Sequence, residues 1–312
     1  MKVFGWRMFP RAFMISSCCR FQSKAPMERP AGRLYAHKAL RRQTRTAYRH
    51  SWSFIVLRFA ILGSSSSGNA MLIFNESTRL LIDNGLSFKR LAGAMDHAGI
   101  TPESLDAILI THEHTDHVRG LGVLARKIPA PVFMTRPCAA SLPSYVGAIP
   151  NLIHFESGDT LQFNDLTVTS FAVSHDAADP VNYVVKCNGL TLGLATDFGH
   201  CSQLARARLT GANALVIESN YCPELLRAGP YPPQIQQRIR SRTGHLSNLD
   251  VHNLLKQLRH DGLRLVVLAH ISRDNNTPEL ACSHAREALD GLPVRIEAAP
   301  SDTVSPVYEI EP

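Results

Sequence analysis

From residue 58 the apolar positions of this 312-residue chain follow two patterns: short runs bounded by turn residues, and longer stretches with apolar residues three and four apart. The runs Phe59 to Gly63, Met71 to Phe74, Leu80 to Asp83 and Ala107 to Ile110 predict strands, and their unbroken hydrophobicity suits strands covered on both faces. Between residues 151 and 196 strand follows strand, with turns at Glu156-Ser157-Gly158-Asp159, Asn164-Asp165 and Asn188-Gly189. Asn188-Gly189, set between Tyr183 to Cys187 and Leu190 to Ala195, predicts a tight hairpin because both residues tolerate positive φ. The longer repeat predicts helices over 87–98, 118–127, 233–241, 247–259 and 278–289. Strands in two groups with helices interspersed place the chain in the α/β class.

Composition narrows this picture. At 45% hydrophobic and 19% charged residues, the chain can bury a large core as one big domain or two small ones. Nothing approaches eighteen uninterrupted apolar residues, so no membrane-spanning helix is expected. The seven cysteines form no CxxC pair and no framework spacing, which points to a reducing, cytoplasmic setting. Cys201 and Cys222 lie close enough to the chemistry described below to approach a metal, but buried structural thiols are the default for both.

The net charge of +7 belongs to one end. Residues 1–57 hold twelve Lys and Arg against the single acid Glu28, leaving 21 basic and 25 acidic residues and a net −4 for the remainder. Residues 1–56 therefore read as a basic N-terminal extension, and 57–312 as a single domain. A transit peptide, a nucleic-acid-binding arm and sequence upstream of the true start compete for the extension. The reading adopted is the last, with Val56 as native initiator; the intact mass of protein from its own cell checks it, and retention of residues 1–55 would overturn it.

The candidate chemistry begins directly after Ala107 to Ile110. Thr111-His112-Glu113-His114-Thr115-Asp116-His117 packs three imidazoles and one aspartate into six positions, a density that points to metal binding. In an extended segment His112 and His114 point to the same side and can bind one ion together, while Asp116 and His117, at a helix start, suit a second. Glu113 should point the other way and order the loop through hydrogen bonds. Gly120 and Gly122 would allow close backbone approach to the site. The Ser64 to Asn69 loop offers consecutive backbone N–H groups and hydroxyls for a phosphate, with Ser67 and Asn69 as candidate substrate contacts.

His112-x-His114-x-Asp116-His117 resembles the leading motif of the metallo-β-lactamase superfamily. The resemblance implies an αββα sandwich with a metal site at one edge. It also implies two divalent ions, zinc or manganese, held by His112, His114, Asp116, His117, His175 of Ser174-His175-Asp176, Asp197 of Ala195-Thr196-Asp197 and His270 of Leu268-Ala269-His270. His175, with His112 and His114, would bind the first ion; Asp197 would bridge; His117, Asp116 and His270 would complete the second. Glu218-Ser219-Asn220, Gly244-His245-Leu246-Ser247-Asn248, His270-x-Ser272-x-x-Asn275-Asn276-x-Pro278 and Thr196-Asp197-x-Gly199-His200 further resemble the YycJ or WalJ type of metallo-hydrolase, over essentially 57–312. Tyr221-Cys222 and Asn182 depart from that pattern, where His-Asp and Gly are usual.

That type implies phosphodiester hydrolysis of nucleic acid, DNA favoured over RNA, by a hydroxide bridging the ions and oriented by Asp116. Gly244-His245-Leu246-Ser247 is similar to the histidine loop of ribonuclease Z, which implies that His245 meets the phosphate opposite the metals. The same segment also reads as a helix start capped by Ser247 or Asn248. His200 and Asn275 are further candidate substrate contacts, and Arg227, Arg238, Arg240 and Arg242 a local cationic cluster. A thioester hydrolase of the glyoxalase II kind shares every ligand, and a non-catalytic regulator on the fold would usually have lost some. Only 72 residues separate Asp197 from His270, too few for the inserted domain of a β-CASP ribonuclease.

Overall fold

The computed structural model describes residues 56–301 and 303–311; the basic extension lies outside the described residues. The first half of the domain alternates as the apolar runs require. Strands β1 (Leu57–Gly63), β2 (Ala70–Phe74) and β3 (Arg79–Ile82) form an antiparallel meander. Helix α1 (Phe88–Asp96) leads to β4 (Ala107–Leu109), α2 (Thr115–Val118) and α3 (Leu121–Lys127) to β5 (Val132–Thr135), and α4 (Arg136–Ala140) to β6 (Leu152–Phe155), with β3 to β6 parallel.

The second half opens on four antiparallel strands, β7 (Thr160–Phe163), β8 (Leu166–Ala172), β9 (Val181–Cys187) and β10 (Leu190–Ala195). Helix α5 (Gln203–Leu209) carries the chain to β11 (Ala214–Glu218). Helices α6 (Pro223–Ala228), α7 (Pro233–Ile239) and α8 (Asn248–Leu258) precede β12 (Leu265–Ala269), and α9 (Pro278–Ala288) precedes β13 (Arg295–Ala298). β10 to β13 are parallel, and β14 (Tyr308–Ile310) returns to pair with β1. The result is two seven-stranded sheets, ordered β14-β1-β2-β3-β4-β5-β6 and β13-β12-β11-β10-β9-β8-β7.

Three apolar layers hold this αββα sandwich together. One lies between the sheets, around Phe59, Ile61, Leu80, Tyr183 and Val216; a second lies under α1 and α3, and a third under α5, α8 and α9. β12 shows why its run is unbroken: Leu265, Val267 and Ala269 enter the inter-sheet layer while Val266 and Leu268 enter the helix layer. Asn188 and Gly189 both take positive φ, 45° and 86°, as the hairpin required. Ser247 caps α8 in a reciprocal capping box with Asp250.

The helix expected over 118–127 is broken. Helix begins earlier, as α2 over Thr115–Val118, and resumes as α3 over Leu121–Lys127; between them Gly120 lies against the β3–α1 turn, where a Cβ would come 1.8 Å from the Leu86 carbonyl oxygen. The close approach expected of Gly120 is thus backbone against backbone, and Gly122 likewise meets the Val146 carbonyl. α4, α5 and α6 span five to seven residues, too short for helical periodicity to show above the local composition.

Gly85 ties the fold to the histidine loop. The Asp116 carbonyl accepts from Asn69 N at 2.7 Å and Gly85 N donates to the Asn69 carbonyl at 2.9 Å, so three backbone segments cross at one point. A Cβ on Gly85 would lie 1.7 Å from the Asp116 carbonyl oxygen. Gly85→Ala is expected to destabilise the protein by about 3 kcal/mol in urea unfolding; a change below about 0.5 kcal/mol would show that this crossing yields freely.

Candidate metal centre

β8 and β10 run in the same direction as β11 and β12, so all four strands end at one edge of the second sheet. Past those ends come His175, Asp197 and His270, and β11 itself closes on Glu218. The end of β4 in the facing sheet contributes His112, His114 and His117. Asp83, Asp197 and His270 all take positive φ, at 59°, 54° and 52°, which turns each side chain sharply as its strand ends. Left-handed backbone in residues other than Gly and Asn costs energy and clusters at functional sites; the other two instances among the described residues are hairpin asparagines, Asn164 and Asn188.

The donors converge in overlapping groups. Ligand atoms of His112, His114 and His175 lie within 4.8 Å of one another, as do those of His112, His117 and Asp197, and those of Asp197, Glu218, His245 and His270. In most of the imidazoles one nitrogen is held from behind. His117 Nδ1 donates to Asp83 Oδ2 at 2.8 Å, His112 Nδ1 meets Thr111 Oγ1 at 2.9 Å, and His175 Nδ1 donates to the Gly244 carbonyl at 3.2 Å. His114 Nε2 donates to the Asp176 carbonyl at 3.2 Å, leaving its Nδ1 facing His175 Nε2 at 3.3 Å. Supporting one nitrogen fixes the tautomer and aims the other's lone pair.

Three atoms at the centre lack ordinary partners. His112 Nε2, Asp197 Oδ2 and His270 Nδ1 are buried without a hydrogen bond. Asp197 comes within 3.3 Å of both His117 Nε2 and His270 Nδ1, yet neither approach has the alignment of a hydrogen bond. Buried polar atoms are rarely left unpaired, and lone pairs converging on shared points are what a cation satisfies. The donor set therefore fits divalent metal.

The electrostatics agree. Burial, then repulsion from His117, hold His112 well below its ordinary value, and burial also lowers His175, so both stay neutral as ligation requires. On the other side burial alone would lower His117 and His270. The Asp197 charge outweighs it in both, with Asp83 acting on His117 and Glu218 on His270, so that His117 is raised well above its ordinary value and His270 to about 9. Asp197 and Glu218 stay ionised despite burial because imidazoles surround them. This half of the centre holds an excess of negative charge.

A cleft of about 440 Å³ opens onto these groups, walled by Tyr231, Ile235, Ile239 and Arg238 from α7 and its flanks, and by Ser65, Ser66 and the 271–274 loop. Asp116 lines it from the rim. Its carboxylate accepts from Asn69 Nδ2 at 2.9 Å and stands 3.6 Å from His117 Nε2, outside the three convergent groups. His245 lines the cleft with Nδ1 3.1 Å from Glu218 Oε2. Glu113 turns away and accepts from Ala178 N at 2.7 Å.

The other expected substrate contacts stand elsewhere. The Ser67 hydroxyl turns back to Ser65 Oγ at 2.7 Å and leaves Ser65 and Ser66 on the cleft wall. Asn69 is spent on Asp116 and His117. His200 is exposed on a separate depression with Arg206 and Gln257, because the turn after Asp197 carries it outward. Asn275 is buried behind the cleft wall, with its carbonyl accepting from Cys222 N at 2.8 Å. Cys201 and Cys222 join none of the convergent groups, and Arg238 is engaged by Asp176 at 2.7 Å.

Glu218 went unassigned in the sequence although its motif was noted. Fully buried, it accepts from the backbone N–H of Asp197 and Phe198, both at 3.1 Å, from Leu246 N at 2.8 Å, and from His245. The signal was present: like Asp197 and His270, it ends an apolar run, Ala214 to Ile217.

Known proteins place this geometry among relatives. A family model described as "Beta-lactamase superfamily domain" matches residues 78–271. The chain is 39% identical over 236 residues to "Exodeoxyribonuclease YycJ" of Bacillus anthracis, covering 75% of this chain and 89% of that one. It is 35% identical over 268 residues to "Exodeoxyribonuclease WalJ" of Streptococcus pneumoniae, covering 83% and 100%. Among solved structures, the metallo-β-lactamase fold protein YhfI from Bacillus subtilis superposes with a TM-score of 0.62 at 16% identity, covering 82% of this chain and 99% of that one. Zn²⁺-bound PqqB from Methylobacterium extorquens also superposes with a TM-score of 0.62, at 17% identity, covering 80% and 99%. These two share the fold.

Proposed function

The chain belongs to the β-lactamase superfamily and carries the metallo-β-lactamase fold, and from that premise we propose that it is a metal-dependent exonuclease hydrolysing phosphodiester bonds of DNA. The observation that carries this reading is His245, fixed by Glu218 and facing a cleft whose floor is the convergent imidazoles and Asp197. Two divalent ions, zinc or manganese, would supply Lewis acidity toward the phosphoryl oxygens and acidify the attacking water.

In this reading His112, His114 and His175 would hold one ion and His117 and His270 the other, with the Asp197 carboxylate within reach of both. Asp116, supported by Asn69 at the rim, accepts a hydrogen bond from the attacking water and orients it toward phosphorus. His245 Nε2 donates to the opposite side of the phosphate and protonates the leaving oxygen. Ser65, Ser66 and Arg238 meet non-reacting phosphate oxygens, and Tyr231 with Ile235 offers an apolar wall to a base. Exposed Arg227, Arg240 and Arg242 extend the contact to the strand outside the cleft. Among the described residues no helix is long and apolar enough to cross a membrane; a cytoplasmic enzyme is the reading adopted.

Hydrolysis of 5′-phosphorylated single-stranded DNA, with zinc or manganese supplied in turn to chelator-treated protein, tests the proposal. Stepwise release of mononucleotides with at least one metal is expected, and none without. Turnover of a glutathione thioester by protein inert toward DNA would replace this reading with an acyl hydrolase.

A further inference from the structure

A second set of metal donors lies away from the edge cleft, on the outer helix layer. We propose that His252 of α8 with His284 and Glu287 of α9 forms a divalent-metal site, best suited to zinc, that clamps these two helices together. One donor atom from each of the three lies within 4.8 Å of the others. His284 and Glu287 are three apart on α9, so they project from the same face, and His252 meets them from the helix packed alongside.

Two features separate this trio from a chance surface cluster. His252 is buried, at 7% exposure, so its ring is held by packing and does not sample solvent freely. Its Nδ1 donates to the His284 carbonyl at 3.0 Å, which leaves the lone pair on Nε2, the tautomer and backbone support that metal-binding imidazoles show. The chemistry is also selective: two imidazoles and one carboxylate are zinc donors, and the pair of nitrogens disfavours magnesium and calcium. A tetrahedral zinc holds its donors about 3.4 Å apart, given metal–ligand bonds near 2.1 Å. Glu287 is exposed and His284 half-buried, so these side chains are free to rotate the remaining distance. Water would fill the fourth position.

The place of the clamp gives it a role. α8 starts three residues after His245, and α9 starts two residues after Asn276. Those starts are already tied by a reciprocal amide pair, Asn248 Nδ2 to Asn276 Oδ1 at 2.9 Å and Asn276 Nδ2 to Asn248 Oδ1 at 2.8 Å. A metal one turn and more further along would fix the same two helices at a second point, and so hold the frame that carries His245. The site stands independently of the chemistry assigned to the cleft.

Zinc stoichiometry of the full chain, measured after saturation and gel filtration, tests the site in the wild type, His284→Ala and Glu287→Gln. The variants are expected to carry one zinc fewer per chain, and zinc in excess of the cleft's requirement to raise the melting temperature of the wild type by several degrees but not theirs. Cobalt(II) bound in place of that zinc should add a visible absorption band that both variants lose. Equal stoichiometry and equal melting in all three proteins would overturn the proposal, whatever the cleft itself binds. Glu287→Gln, at an exposed helix position, keeps the test valid should His284→Ala fold poorly.

Discussion

Asp197→Asn is expected to lower DNA hydrolysis by about 10³-fold or more while the protein keeps its fold. The carboxylate sits where the two halves of the centre meet, within 3.3 Å of both His117 Nε2 and His270 Nδ1 and 4% exposed. Carboxamide in its place removes the anion shared by both halves. Loss of about 4 kcal/mol of transition-state stabilisation, the scale of a metal-site charge interaction, gives that factor at 1.36 kcal/mol per tenfold. The fold should survive because what Asp197 supplies locally is backbone. Its N–H donates to Glu218 Oε2, and its φ of 54° is one that asparagine adopts as readily as aspartate. kcat/KM on end-labelled DNA, metal content and thermal melting of the same preparation separate the effects. A variant with wild-type activity at normal metal content would remove Asp197 from the centre and with it the two-ion reading.

The same residue shows how much of the site the sequence discloses. His112, His114, His117, His175, Asp197 and His270 were legible because each follows an apolar run, and strands of one direction finish at one edge. The direction itself was not legible. That β8 runs with β10, β11 and β12 depends on β9 lying antiparallel between β8 and β10, and only pairing decides that. The hairpin at Asn188-Gly189 gives half of the answer locally.

The candidate substrate contacts lie off the cleft wall, for a physical reason. Ser67 belongs to a loop rich in hydroxyls and backbone N–H groups, and His200 and Asn275 follow shortly after expected ligands, but a turn reverses direction within two or three residues. One step separates Ser66, on the cleft wall, from Ser67, and three separate Asp197 from the outward His200. The wall facing the donors comes instead from α7 and its flanks, through Tyr231 and Ile235. These residues carry no motif, since an apolar wall needs only bulk and exposure. α7 is predicted as an element, and its place over the cleft follows from the packing of its own Ile239 with Tyr221 and Leu226.

Glu218→Gln should prove nearly as damaging as loss of Asp197, and by another route. Burial alone would raise the Glu218 carboxyl, but the charge and hydrogen bond of His245 hold it ionised. Glutamine keeps one acceptor, which can serve Phe198 N and Leu246 N as Oε1 does now. Its amide nitrogen then faces the Asp197 N–H and His245 Nδ1, where Oε2 accepted from both. The Asp197 N–H loses its partner, at a cost of about 1–3 kcal/mol for a buried donor. His245 is driven to its other tautomer and loses the charge that favoured a proton at the leaving oxygen. A fall of about 10²- to 10³-fold in kcat is expected, the range of a general acid. The decisive measurement is the double variant with His245→Ala. If Glu218 acts through His245, removing both costs little more in kcat than removing one, whereas independent losses would multiply. Multiplying losses, or a Glu218→Gln protein that melts early yet turns over at the wild-type rate, would make Glu218 a brace for the strand ends and leave the orientation of His245 to other groups.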